Sequence, residues 1–353
     1  MKKISPSLKL LIIAAAIYLA GLISAAAGWL YLQNWLTTPL NIDTQGYRYE
    51  LKQGQSLSHL ANDFGAQGIL DYPRLLRLYA RVTNVNKVHA GEYFFAPGST
   101  PQSLLEKLKK GEVVLYQVTF VEGWTFKQAL AALDKNPSIR HELTGKTNKE
   151  QLALLGLAIT HPEGWFFPDT YSFSRNTSDV EILQKSFRKM KSLLNAEWEK
   201  RAANLPYKSA YEALIMASII ERETGHHSER DQIAGVFVRR LQQGMKLQTD
   251  PTVIYGMGDQ YRGRISRKNL EEATPYNTYT IEGLPPTPIA LPSAASVKAA
   301  LNPAAGNALY FVAKGDGTSE FSATLDAHNQ AVRRYQLNRR SDYRAAPPPS
   351  VKD

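Results

Sequence analysis

The sequence predicts an α+β protein in three parts: an N-terminal transmembrane helix, a small α+β module and a larger α+β domain. Three observations lead there. An uncharged stretch runs from Leu10 to Leu32 behind Lys2, Lys3 and Lys9, long enough to cross a bilayer with some tilt. Between residues 46 and 112, strand-like segments bracket two amphipathic helical patterns. Beyond residue 160, long helices with a 3.6-residue apolar period alternate with loops rich in aromatics and proline. The expected boundaries are a cytoplasmic N-terminus at 1–9, the transmembrane helix at 10–32 and a juxtamembrane linker at 33–45. The module covers 46–112, a connecting subdomain 113–160, the larger domain 161–340 and a disordered tail 341–353.

The chain has 353 residues and a net charge of +10. An excess of this sign favours polyanionic partners or surfaces. No cysteine is present, which excludes disulfides, zinc–thiolate sites, thiol catalysis and lipoprotein acylation. Lysines precede the apolar run and the first charge after it is Asp43, so the N-terminus is expected in the cytoplasm and the remainder outside. Export argues against nucleic acid as the polyanion. Ser24-Ala25-Ala26-Ala27 offers small residues to a signal peptidase, but the run stays apolar beyond them. A retained single-pass anchor is therefore expected.

In the module, Tyr47–Leu51 alternates as a strand, and Ser56 caps a helix bearing Leu57, Leu60, Ala61 and Phe64 on one face. A second helix is expected over 72–82, a returning strand over Gly91–Phe95, and a further helix over 98–110 stopped by Gly111. The strand–helix–helix–strand order resembles a LysM-like glycan-binding module. It partly recurs at Val118–Phe126, where a strand meets Gly123, a hydroxyl cap and a helix over 126–133. Residues 134–150 read as polar loop.

The second half holds the candidate site. His161-Pro162-Glu163-Gly164-Trp165-Phe166-Phe167-Pro168-Asp169-Thr170-Tyr171 packs aromatics between acids and prolines. Sugar rings stack on aromatic faces while their hydroxyls seek carboxylates, so Glu163, Trp165, Phe166, Asp169 and Tyr171 are candidate substrate-binding residues; the bland alternative is a hydrophobic plug. An amphipathic helix follows over 179–203, and another runs from Ser228 to Gln243 with Gly244 as its stop. Gln248, Thr249, Asp250 and Tyr255 stand around a strand-like run. Tyr276, Asn277 and Tyr279 belong to a loop stiffened by Pro285, Pro286 and Pro288. Both segments suit a binding cleft. A hairpin around Gly315-Asp316-Gly317 and a basic helix to Arg340 close the domain. His226-His227 lacks the spacing of a helical metal motif, and no metal or cofactor is expected.

Between these lies SAYEALIMASIIERETG, Ser209 to Gly225. Ser209 with Glu212 forms a capping-box start. Ala213 to Ile220 is apolar apart from Ser218, the mark of a buried helix, and Gly225 can end it. Glu221 and Glu223 fall in its last turn. A carboxyl beside apolar surface and near a helix C-terminus is disfavoured as an anion, which suits a proton donor. Spacing does not separate Glu221 from Glu223.

EGWFFPDTY, ASIIERET, LQTDPTVIYG, YNTYTIEGLPP and the basic C-terminal helix resemble the endolytic murein transglycosylases, the YceG-like or MltG family, over about residues 46–340. The resemblance implies an enzyme of the cell inner membrane with a periplasmic catalytic domain, cutting nascent peptidoglycan strands internally. It makes Glu221 the expected catalytic residue, and peptidoglycan synthases and the elongation machinery the expected partners. Two alternatives stay open: a hydrolytic muramidase using Asp250 or Glu163 as a second carboxylate, and a non-catalytic glycan-binding scaffold.

Overall fold

The computed structural model describes residues 5–85, 88–223 and 227–337. The chain divides into two compact units, residues 1–116 with 174–176, and residues 117–173 with 177–353. Most of the expected connecting subdomain at 113–160, from Gln117 onward, lies in the second unit.

The first unit opens with α1 (Pro6–Thr37), the one described helix long and apolar enough to cross a membrane. β1 (Tyr47–Leu51), α2 (Leu57–Ala66), α3 (Pro73–Val82) and β2 (Gly91–Phe95) follow, then α4 (Pro101–Lys110). β1 and β2 are antiparallel, with Tyr49 opposite Tyr93. Phe64 of α2 is fully buried and meets Tyr47, Tyr49 and Phe95 edge-on at 5.3–5.4 Å, a favoured aromatic geometry. The core also takes in Trp35, Leu36 and Leu40, from the last turn of α1 and the residues after it. Within the expected linker at 33–45, residues 33–37 are the end of α1, and Trp35, Leu36 and Leu40 are buried while most of the others are exposed. Behind the sheet, Glu92 is buried and accepts hydrogen bonds from Arg175, Tyr116 and Arg48. Burial alone would raise its pKa, but these three donors outweigh it and hold the carboxyl at about 2.

The second unit contains most of β3 (Leu115–Thr119), α5 (Phe126–Asp134), α6 (Asn148–Leu155), β4 (Thr170–Ser174), α7 (Asp179–Glu199) and α8 (Ala210–Glu223). It continues with α9 (Arg230–Gln242), α10 (Asp250–Met257), α11 (Arg267–Glu271) and α12 (Ala294–Leu301). β5 (Tyr310–Ala313), β6 (Ser319–Ser322) and α13 (Leu325–Val332) complete it. β3 pairs with β4, and β5 with β6 as the expected antiparallel hairpin. A π-turn over Arg333–Leu337 follows α13. The remainder of the expected basic helix, the tail, and Gly225 as the stop of α8 lie outside the described residues.

β4, α11 and α12 add to the sequence reading, and two further elements differ from it for local reasons. The polar stretch before 150 hides the start of α6, where Thr147 and Glu150 form a capping box that a search for apolar periodicity passes over. The strand-like run after Gln248 is α10. Thr249 occupies its N-cap, and Pro251 sits within its first turn, where the missing N–H costs nothing.

α8 is the hub of the second unit. Every residue from Ala213 to Ile220 is buried, and the helix packs chiefly on α12, with α7, α9 and α10 around it. Ser218, the polar exception, donates to the Ile215 carbonyl at 2.7 Å and accepts the Ile289 N–H at 2.9 Å. The hydroxyl thereby ties the proline-rich loop to the hub.

Candidate active site

Glu221 and Glu223 are two residues apart, about 200° around a helix, so they leave α8 on different sides. Glu221 turns toward α12. Its Oε2 accepts the Ser293 N–H at 2.9 Å, the Ser293 hydroxyl at 2.5 Å and the Ser296 hydroxyl at 2.7 Å, while Arg230 stands 3.9 Å from Oε1. Its side chain is only 7% exposed. Ser293 is the N-cap of α12, so this carboxylate anchors the start of that helix. Three donors thus occupy Oε2, and the buried Oε1 faces Arg230.

Glu223 turns toward a cleft of about 680 Å³. The cleft is lined by Gln248, Asp250 and Tyr279 beside Glu223, by Arg240 of α9, and by the β5–β6 hairpin with His328 of α13. The Thr249 hydroxyl donates to Glu223 Oε1 in a short hydrogen bond. Burial, helped by the charge of Asp250 and opposed by the Thr249 bond, pushes its pKa up to about 7. Asp250 Oδ1 accepts from the Tyr279 hydroxyl at 2.7 Å, and burial first, then this bond, raises the phenol. Gln248 adopts a left-handed backbone with φ of +53°, and its Oε1 accepts from Arg240 at 3.3 Å. Arg240 also binds the carbonyls of Leu247 and Leu309 at 2.9 and 2.7 Å. Arginine thus fixes the floor from which Gln248, Thr249 and Asp250 project.

A second cleft, of about 700 Å³, lies within the same unit among α5, α10, Glu163 and Arg222. Glu163 is 3% exposed; its Oε1 accepts the Phe126 N–H at 2.9 Å and its Oε2 the Tyr255 hydroxyl at 3.1 Å. Burial outweighs these bonds and lifts its pKa to about 7. Between pH 4.5 and 7, Glu163 and Glu223 hold protons in the folded chain that they lose on unfolding, so both make stability fall as pH rises through that window.

Sequence reasoning placed other residues in a cleft that the structure puts elsewhere. Phe166 is fully buried and stacks on Phe126 at 4.8 Å, so it offers no face to a sugar. Trp165 stacks on Tyr211 at 5.6 Å and packs against Phe187 at 5.5 Å. Tyr171 is buried and donates to the Phe167 carbonyl at 2.6 Å. Asp169 is held below the usual carboxylate range by Lys189 on the surface. The aromatic loop is therefore a plug, the bland alternative. Gly164, at φ +82°, permits its approach, because a Cβ there would stand 2.4 Å from Pro288. Phe166→Ala should destabilise the chain by about 3–5 kcal/mol, read as a lower midpoint in denaturant. A midpoint near that of the parent chain would return Phe166 to the candidate sugar-binding face.

Asn277 is likewise structural. It is fully buried, its Nδ2 donates to the carbonyls of Asn269, Leu270 and Glu272, and its Oδ1 accepts the Tyr279 N–H. Tyr276 packs on Tyr255 at 5.0 Å and shares a hydrogen bond with Thr287. Of the expected residues, the first cleft brings together Gln248, Asp250 and Tyr279, with Thr249 bonded to Glu223. Arg240 and His328 had been read only as parts of helices, and nothing in their spacing marks them. Among the described residues, no three His, Asp or Glu side chains stand close enough to hold a metal.

Comparison with known proteins agrees with this architecture. The model of the YceG-like family matches residues 49–334. A Bacillus subtilis protein named endolytic murein transglycosylase is 31% identical over 81% of this chain and 83% of its own length. A Streptococcus pneumoniae protein of the same name is 25% identical over 92% of this chain and 65% of its own. The crystal structure of a YceG-like protein from Listeria monocytogenes superposes with a TM-score of 0.51 at 28% identity, covering 82% of this chain and 99% of that one. The chain belongs to the YceG-like family.

Proposed function

We propose that the chain is a membrane-anchored lytic transglycosylase that cuts nascent peptidoglycan strands internally, with Glu223 rather than Glu221 as its proton donor. The observation that carries the reading is a carboxyl raised to about 7 in an open cleft, beside Thr249, Asp250, Tyr279 and Gln248. The names of the Bacillus and Streptococcus relatives support the substrate and reaction class. Protonated Glu223 gives its proton to the glycosidic oxygen between N-acetylmuramic acid and N-acetylglucosamine. The C1–O bond breaks, leaving an oxocarbenium-like centre on the muramic residue. The Glu223 carboxylate then takes the proton of the C6 hydroxyl as O6 bonds to C1, closing a 1,6-anhydro ring. One carboxyl suffices because the nucleophile is already held within the substrate.

Tyr279 and Asp250 act as a bonded pair that supports one wall of the cleft. Glu163, committed to Phe126 and Tyr255, has no part in proton transfer. The apolar length of α1 supports a single-pass anchor in the inner membrane; the preceding lysines support a cytoplasmic N-terminus and a periplasmic catalytic unit. Peptidoglycan strands are the substrate, the small unit serves as a LysM-like glycan module, and the peptidoglycan synthases are the natural neighbours. The test is incubation of the full-length chain in lipid with uncross-linked strands, followed by chromatography of strand lengths. Shortened strands arising from internal cuts are expected; strands bound but uncut would instead support the scaffold.

A further inference from the structure

α1 does not end in a loose tether. Its last turn and the residues that follow enter the core of the first unit, where Leu36 is 1% exposed. The Leu40 N–H binds the Ser99 carbonyl at 2.7 Å, and the Asn41 N–H binds that of Ile69 at 3.1 Å. Tyr31, still on the apolar helix, interacts with Tyr72, the N-cap residue of α3. Trp29 and Tyr31 are exposed aromatics of the kind that mark a membrane–water boundary. α3 thus starts beside the aromatic belt of α1.

The exposed side of α3 fits such a location. Leu76 and Ala80 are its buried positions. Arg74, Leu78, Arg81 and Val82 fall at i, i+4, i+7 and i+8, one stripe of a helix, and all four are exposed. Leu78 is 57% and Val82 73% exposed, and Tyr72 adds a half-exposed ring at the N-terminal end. Among the described residues, the guanidinium groups of Arg74, Arg77 and Arg81 take part in no hydrogen bond or ion pair. Asp71 is the acidic group at that end. Leucine and valine alternating with unpaired arginines is the pattern of a helix lying in an interface, apolar side chains below the headgroups and cations at phosphate level.

We propose that α3 rests on the outer surface of the bilayer that α1 crosses, with Arg74, Arg77 and Arg81 contacting the phosphates of anionic lipids. The inference rests on the anchoring reading given above. It makes the small unit a rigid pedestal on the membrane instead of a freely moving module. Continuity with α1 and opposite charge select lipid as the occupant over a soluble partner.

Because the chain lacks cysteine, a single label can be placed without removing any. The full-length chain carrying Leu78→Cys, labelled with an environment-sensitive fluorophore, would be inserted into nanodiscs of phosphatidylcholine with or without phosphatidylglycerol. A second label at Gln53→Cys, beyond the far end of β1, serves as reference. The expected result is a blue-shifted emission at position 78 that lipid-borne nitroxide quenches, stronger with phosphatidylglycerol and lost when Arg74→Ser and Arg81→Ser are added. Position 53 should show neither effect. Equal quenching at 78 and 53, indifference to the arginine substitutions, or shielding of 78 only on adding glycan strands or another protein would overturn the proposal. Co-elution of the chain with the discs reads the anchor separately; failure to incorporate would remove the anchor and this inference with it.

Discussion

Glu223→Gln should lower strand cleavage by about 10³-fold while leaving the melting temperature close to that of the parent chain. Glutamine keeps the size of the side chain and an oxygen to accept from Thr249, but it has no proton to give and reclaim. The loss should appear in the chemical step, with strand binding retained, since Gln248, Asp250 and Tyr279 are untouched. The parent enzyme should lose activity as pH rises through the region of 7 to which burial lifts this carboxyl. The sign follows from the role, because a general acid works only while protonated. A Glu223→Gln variant that still cuts at the parental rate would rule the residue out.

Glu221→Ala should have the opposite signature, a large fall in stability. It strips the acceptor from the Ser293 N–H and hydroxyl and the Ser296 hydroxyl, and removes the buried counter-charge of Arg230. Breaking a buried charged cluster of this kind costs about 3–5 kcal/mol, a drop in melting temperature on the order of 10 °C. Glu221→Gln, which keeps one acceptor, should fall between, and its folded fraction should cut strands at a rate well above that of Glu223→Gln. Thermal melts beside strand-cleavage assays check both. A folded, inactive Glu221→Gln with an active Glu223→Gln would restore Glu221 as the acid.

The contrast between these two residues shows where sequence reasoning reached its end. Apolar runs, hydroxyl caps and glycine stops were enough to find α2, α4, α5, α7 and α8, because those signals are local. The same local rules placed both glutamates at one helix end and could go no further. What distinguishes them is tertiary: the N-cap of α12, more than seventy residues later, meets one carboxylate, and Thr249 meets the other. The aromatic loop misled for a related reason. Trp165 and Phe166 have the composition of a sugar platform, but Phe126, Phe187 and Tyr211 pack against them, and those partners come from three helices, α5, α7 and α8. α10 was misread because β-branched Thr252, Val253 and Ile254 imitate a strand when Pro251 is not recognised as a helix start. Gln248, Asp250 and Tyr279 line the first cleft; the sequence singles them out only as polar residues beside an apparent strand or in a loop stiffened by proline.

The claim that one carboxyl and the substrate's own C6 hydroxyl complete the reaction is tested most directly by the fate of solvent oxygen. Uncross-linked strands would be digested by the full-length chain in H₂¹⁸O and the new muramic ends weighed by mass spectrometry. The account predicts ends lighter than a reducing sugar by one water and free of ¹⁸O, since O6 replaces the departing oxygen within the same molecule. Reducing ends carrying ¹⁸O would contradict it, and would make Asp250, in the same cleft as Glu223, the base of a hydrolytic enzyme.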